Sequence, residues 1–332
     1  MNLTCPTNGK DYIMPTKRWL QPIKDLTFAD VSTSHGKIIL SNMISDKINK
    51  NEILVKITAG RNHRIKEFTR RMQDLPNLVN TYCVLLCQDD FLMIKENNQF
   101  CNLEDIELLN KLPKKAKNYN YSLTLELMEY YKTGSFSSID KINLTEFLEI
   151  FLQLAFCQMN LYNYRGYTHN DIHPGNILIK KHKEPIILDY QYIDKDCIDS
   201  NKLYKLKTDT EYILADYDKM ISFEYRHEPY YFHHIFESIV ELDDVAEYHL
   251  YSLYSNILAT INLIASKLDR INKDIVQLAL SKVEAKRGDK IFNNNKKYII
   301  EYYENKNFNL FKKNTMNDIC KFVKSFINKV ID

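Results

Sequence analysis

The sequence predicts an α+β protein with a smaller, strand-rich N-terminal part and a larger, mainly helical C-terminal part. Three patterns carry that expectation. Short runs rich in β-branched and aliphatic residues occupy Lys37–Leu40 and Glu52–Ile57, and strand and turn alternate over 81–96. Apolar residues recur at helical spacing through Phe147, Phe151, Leu154 and Leu161, again over Val245–Ala265, and again near the C-terminus. Where the two halves of this pattern have met, a polar loop, His169-Asn170-Asp171-Ile172-His173-Pro174-Gly175-Asn176, runs straight into the apolar Ile177-Leu178-Ile179.

Composition narrows the class. At 332 residues the chain has room for one large or two modest domains, and 45 Lys and Arg against 43 Asp and Glu leave a net charge of +2. A surface so evenly balanced argues neither for nor against a nucleic-acid partner, and the positive run Lys111-Leu112-Pro113-Lys114-Lys115-Ala116-Lys117, with sparse aromatic interleaving, reads as a solvated loop rather than a nucleic-acid patch. The seven cysteines are odd in number and scattered without metal-ligand spacing, which predicts reduced thiols in a cytoplasmic compartment. No apolar signal core follows Met1, and no apolar run is long enough to span a bilayer. Scarce Gly and Pro with abundant Asn, Lys, Ile and Tyr indicate an AT-rich genome.

Residues 1–30, punctuated by Pro6, Pro15 and Pro22, read as an extended arm. Val31-Ser32-Thr33-Ser34-His35-Gly36 is a turn before the first strand run. Lys56 then sits on a strand among apolar neighbours, and residues 61–75 form a basic helix in which Glu67 is the acidic residue of the body. Asn97–Asn120 reads as an exposed insertion. Tyr121–Glu129 is a strand running into Tyr130–Ser135. Asn143, with Glu146 three residues on, opens the first long helix by a capping box. Helices are further expected near 245–265, 267–285, 296–304 and 314–331. The last has an apolar face that predicts packing on the helical part, with contact to a membrane surface as the alternative.

The polar loop and the hairpin expected after it hold the chemistry. Ile177–Ile179 and Ile186–Leu188, separated by a charged turn, are expected to pair as that hairpin. The residue before the first strand then lies beside the residue after the second, so Asn176 and Asp189 become neighbours. An amide oxygen and a carboxylate together suit Mg²⁺. Asp171, on the same loop, faces that point as a base.

These residues resemble the protein-kinase superfamily, whose H-x-D-x-x-x-x-N loop and following metal-binding Asp correspond to His169, Asp171, Asn176 and Asp189. The resemblance implies a two-lobed fold, a β-rich N-lobe over 1–130 and a mainly helical C-lobe over 131–332. It also implies ATP and Mg²⁺ as cofactors. Lys56 is then the lysine that holds the α- and β-phosphates, Glu67 its ion-pair partner, and Gly36 the remaining glycine of the phosphate-covering loop. Glu129 and Tyr131 would offer backbone groups to the adenine edge behind Met128, with Ser135 near the ribose. His169 would be a strut under the loop. Asn170 stands where many kinases have the Arg that pairs with a phosphorylated activation loop, which implies activity without such phosphorylation. His173 stands where Lys is usual, and His-Pro-Gly-Asn is similar to aminoglycoside and choline kinases and to haspin-like protein kinases. The degenerate glycine loop and the composition are similar to divergent kinases of large DNA viruses, which places the protein in host cytoplasm or virion. The expected activity is a serine/threonine protein kinase acting on a protein substrate. A small-molecule kinase and a pseudokinase scaffold are the alternatives.

Overall fold

The computed structural model describes residues 2–4, 11–13, 36–46, 52–59, 72, 75–86, 123–193, 205–217, 220–222, 242–283 and 308–332. They belong to two compact units, one formed by Met1–Asp74 and Val79–Lys132, the other by Leu75–Leu78 and Thr133–Asp332.

The first unit is built on one antiparallel sheet of six strands: β1 (Asn2–Thr4), β2 (Asp11–Ile13), β3 (Gly36–Asp46), β4 (Glu52–Ala59), β5 (Thr81–Leu86) and β6 (Leu123–Glu129). Their spatial order is β1-β2-β3-β4-β6-β5. The expected N-terminal arm thus contributes two short strands at one side of the sheet, β1 at the edge with Asn2 opposite Ile13, and β2 inside it with Tyr12 opposite Asp46. Backbone pairing alone sustains an edge strand, so a three-residue piece needs no apolar run to announce it. Lys56 lies on β4, which has a neighbour on each side, and pairs with Ile38 across one ladder and Glu126 across the other.

In the second unit α1 (Leu144–Arg165) opens with the expected capping box. The Asn143 side chain accepts the Glu146 N–H at 2.9 Å, and the Glu146 carboxylate accepts the Asn143 N–H at 2.8 Å. The helix stops at Gly166, whose φ of 68° is the left-handed conformation that glycine adopts without strain. On α1 pack α2 (Leu242–Ala265) and α4 (Phe308–Ile331), and α3 (270–283) follows α2 in the chain. The α1 stripe of Phe147, Phe151 and Leu154 is fully buried, as are Ile257 and Ile261 of α2. Phe326 of α4 meets Phe151 edge-on at 5.2 Å, and Phe322 meets Tyr254 at 5.0 Å. The apolar face of α4 is therefore core, each buried ring contributing about 1.5–3 kcal/mol. The helix expected at 296–304, like Glu67, lies outside the described residues. Among those described, no helix is long and apolar enough to cross a membrane. Cys157 is a free, buried thiol, whereas Cys320 is disulfide-bonded, a correction to the expectation of uniformly reduced cysteines. Spacing in the chain says nothing of which thiols meet in the fold.

The largest departure concerns the strand pairing after the polar loop. Ile177–Asp189 is β8, and its partner is β9 (Lys205–Leu214), with Ile177 opposite Leu214 and Asp189 opposite Lys205. The register breaks between Lys181 and Ile186, where 182–185 face the single residue Asp209. Thr208 Oγ1 closes a tight turn there, accepting the Thr210 N–H at 3.0 Å. The ribbon bends at that break. Run straight, the seven residues from Tyr212 to Lys205 would separate the two ends by ~23 Å. Yet Tyr190, next to Asp189, donates its hydroxyl to Asn77 Oδ1 at 2.6 Å, and Asn77 Nδ2 donates to the Tyr212 carbonyl at 2.9 Å. Finally β7 (Tyr167–Thr168) pairs with β10 (Ile221–Ser222), which brackets the loop from both sides.

Candidate active site

Strand pairing does not bring the expected Asp189 beside Asn176. The strand that pairs with Ile177–Ile179 is Tyr212–Leu214, so Ala215 stands beside Asn176 and Asp216 follows it. The Ala215 N–H donates to the Asn176 carbonyl at 2.9 Å. Asp189 is instead opposite Lys205, and the two form an ion pair at 3.4 Å with side chains 42 % and 67 % exposed. Asp216 rather than Asp189 follows the strand paired with Ile177–Ile179, because the first apolar run after the loop has a non-local partner. The signal was present in Tyr212-Ile213-Leu214-Ala215-Asp216, an apolar strand ending in Asp, and was obscured by the intervening residues of the ribbon.

His169 ties the two loops together. It is 1 % exposed, its Nδ1 accepts the Asp171 N–H at 3.3 Å, and its Nε2 donates to the Ala215 carbonyl at 3.0 Å. With Nδ1 an acceptor, the proton belongs on Nε2. Burial pushes its pKa down to about 4, against the opposing pull of the Ala215 carbonyl, Asp216 and Asp171. His169 is thus a neutral strut, as expected. Tyr217 covers it edge-on at 6.0 Å and donates its hydroxyl to the Leu214 carbonyl at 2.9 Å.

Asp171 is half-buried, and Asn176 Nδ2 donates to both its carbonyl, at 3.0 Å, and its Oδ2, at 3.3 Å. The amide NH₂ is thereby turned to Asp171, so Oδ1 is the end of Asn176 that can face a cation. Asp216 adopts φ 64° and Asn170 φ 60°, left-handed positions that short polar side chains tolerate. His173 Nδ1 accepts the Gly175 N–H at 3.2 Å, and its Nε2 stands 3.9 Å from Asp171 Oδ2. Gly175 has no room for more: a Cβ there would stand 3.1 Å from His173 Cε1. Oxygen donors from Asn176, Asp171 and Asp216 suit a hard divalent cation. Among the described residues no group of three His, Cys, Asp or Glu side chains is arranged to hold a metal ion.

In the first unit Lys56 is 3 % exposed and pairs with Glu126 at 3.8 Å. Glu126, itself 2 % exposed, was not singled out from the sequence, since a strand carboxylate beside a lysine has no motif of its own. Gly36 is the first residue of β3, opposite Thr58; residues 31–35 lie outside the described ones. The Glu129 N–H donates to the Asn80 carbonyl at 2.8 Å, so any pairing of this residue with an adenine edge must use its carbonyl. Tyr131 is buried, and its hydroxyl accepts the Asn80 N–H at 3.0 Å. Ser135 is buried at the start of a short 3₁₀ turn and shares a hydrogen bond with Ser137.

Residues 110–223 match the model of the ABC1 atypical kinase-like domain, a span that begins before β6 and ends just after β10. Among solved structures, the chain is similar to the kinase PK-1 of Cydia pomonella granulovirus, at 14 % identity and a TM-score of 0.34 over 61 % of this chain and 52 % of that one. The chain thus spans about half the length of that kinase. No curated protein matches. Over residues 110–223 the chain is thus similar to a kinase-like domain, and its described residues mix strand and helix.

Proposed function

We propose that this kinase-like protein is an ATP- and Mg²⁺-dependent phosphotransferase that moves the γ-phosphate of ATP to a serine or threonine hydroxyl of a protein. The observation that carries the proposal is the pair of bonds by which Ala215 joins the two loops, its N–H to the Asn176 carbonyl and its carbonyl to His169. They bring Asp171, Asn176 and Asp216 into one group. Asp171 accepts or orients the acceptor hydroxyl's proton, and Asn176 and Asp216 are the residues that would hold Mg²⁺. When bound, that ion neutralises the charge of the phosphates. Lys56, paired with Glu126, is by resemblance the lysine for the α- and β-phosphates. Catalysis of this kind is positioning and charge stabilisation.

The match to a kinase-like domain supports the reaction class. His173 favours a second reading in the acceptor, a small-molecule kinase, because its imidazole approaches Asp171 where the commoner kinases present Lys. The test is ATP turnover with generic protein substrates against a panel of amino sugars and amino alcohols. Wild-type turnover that Asp171→Asn and Asp216→Asn both abolish is the expected result. Retained turnover in a clean preparation of either variant would sink the proposal. Transfer to the small molecules alone would replace the protein acceptor. Phosphatase treatment should leave activity intact, since Asn170 cannot pair with a phosphorylated loop as Arg does.

A further inference from the structure

The catalytic loop is held from α2 as well as from below. Asn256 is 7 % exposed, and its Nδ2 donates to Asn170 Oδ1 at 3.3 Å, immediately before Asp171. Asn170 in turn donates from Nδ2 to Thr168 Oγ1 at 3.1 Å. Behind Asn256, Thr260 Oγ1 donates to the Asn256 backbone carbonyl at 2.7 Å and accepts Gln158 Nε2 of α1 at 3.0 Å. A polar chain therefore runs from α1 through α2 to the loop, and each link in it is buried or half-buried. Asn170 holds a left-handed φ of 60°, one of several backbone states open to a short polar side chain, and these hydrogen bonds select it.

We propose that Asn256 is a positioning residue, an amide latch that fixes Asn170 and so presets Asp171 in its reacting geometry without any modification of the chain. The latch rests on the phosphotransfer reading for its effect on rate. Its effect on the loop stands apart from that reading. Because Thr260 bonds the backbone of Asn256, truncating the Asn256 side chain removes the latch and leaves the α1–α2 link in place.

The experiment compares wild type, Asn256→Ala, Asn170→Gly and the double variant by steady-state ATP turnover and by amide hydrogen exchange of the 167–176 segment. Glycine at 170 tolerates the left-handed backbone, so that variant removes the side chain without adding strain. Each single variant should lose on the order of tenfold in kcat, the rate equivalent of one buried hydrogen bond. The ATP KM should hold within about twofold, since the loss falls on the transition state. The double variant should lose no more than the worse single one, because both break the same contact. Segment 167–176 should exchange faster in every variant while α4 exchanges as in wild type. Additive losses, or unchanged exchange of the loop, would overturn the latch. Should the wild type turn over no ATP, the phosphotransfer reading falls by itself. Exchange then decides the latch alone: faster exchange in Asn256→Ala supports it and unchanged exchange overturns it.

Discussion

Truncating Asn77 should unfold this protein's second unit more readily than any single change at its surface. The residue is fully buried, at φ 61°, and its polar groups bond three other segments of the chain. Nδ2 donates to Gln153 Oε1 at 3.0 Å and to the Tyr212 carbonyl at 2.9 Å, while Oδ1 accepts the Tyr190 hydroxyl at 2.6 Å. Its backbone carbonyl accepts the Leu214 N–H at 2.8 Å, which sets the strand that ends at Ala215 and Asp216. In Asn77→Ala, Gln153 Oε1 keeps the Tyr212 N–H at 2.9 Å, but the Tyr190 hydroxyl and the Tyr212 carbonyl lose their Asn77 partner. Two buried groups left unmade cost about 1–3 kcal/mol each. Alanine in the left-handed region adds roughly 1 kcal/mol more. The sum is about 3–7 kcal/mol, against a total stability of roughly 5–15 kcal/mol for an ordinary domain. Urea unfolding followed by circular dichroism reads this directly. Asn77→Gly separates the two contributions, since it removes the side chain and keeps the backbone at ease; it should recover about 1 kcal/mol relative to alanine. An Asn77→Ala protein within about 1 kcal/mol of wild type would refute the reasoning, because a buried desolvated hydroxyl cannot be abandoned so cheaply.

Three further outcomes are expected from the geometry. Asp189→Asn breaks only an exposed ion pair with Lys205, worth about 0–1 kcal/mol, so turnover should stay within about twofold of wild type; a loss matching that of Asp216→Asn would restore the metal role to Asp189. His169 is held neutral in the fold, with its pKa lowered to about 4, while the unfolded chain takes up a proton near pH 6.5. Its unfolded state binds more protons between these values, so unfolding titrations should show stability flat above about pH 7 and falling by up to ~1.4 kcal/mol per pH unit as pH drops from 6.5 toward 4. His169→Asn should flatten that segment of the curve. Gly175→Ala would press a Cβ to 3.2 Å from His173 Nδ1 and displace the ring, so kcat should fall several-fold with the thermal midpoint nearly unchanged; an unaltered kcat would remove His173 from the reaction.

How much of this was legible beforehand depends on the range over which each feature is determined. The α1 boundaries could be read from Asn143, Glu146 and the apolar stripe, because capping and helical periodicity act within a few residues. The group of His169, Asp171 and Asn176 was legible for the same reason: one short loop carries all three. Lys56 was read correctly as a strand lysine, but its acidic neighbour Glu126 lies 70 residues on, and only the pairing of β4 with β6 makes them adjacent.

The sequence by itself determined the class of the fold, the loop and the chemistry its side chains offer. Tertiary structure alone decided which segment stands beside Asn176. Two apolar runs can come after a catalytic loop and both have strand character, and hydrophobic pattern cannot say which one the first strand will choose. That choice is made by non-local contacts: Asn77 gripping Tyr212 and Leu214, Gln153 gripping Thr210 and Tyr212, and Tyr190 folded back onto Asn77. Their combined hydrogen bonding sets the register that places Ala215 beside Asn176 and leaves Asp189 on the ribbon with Lys205.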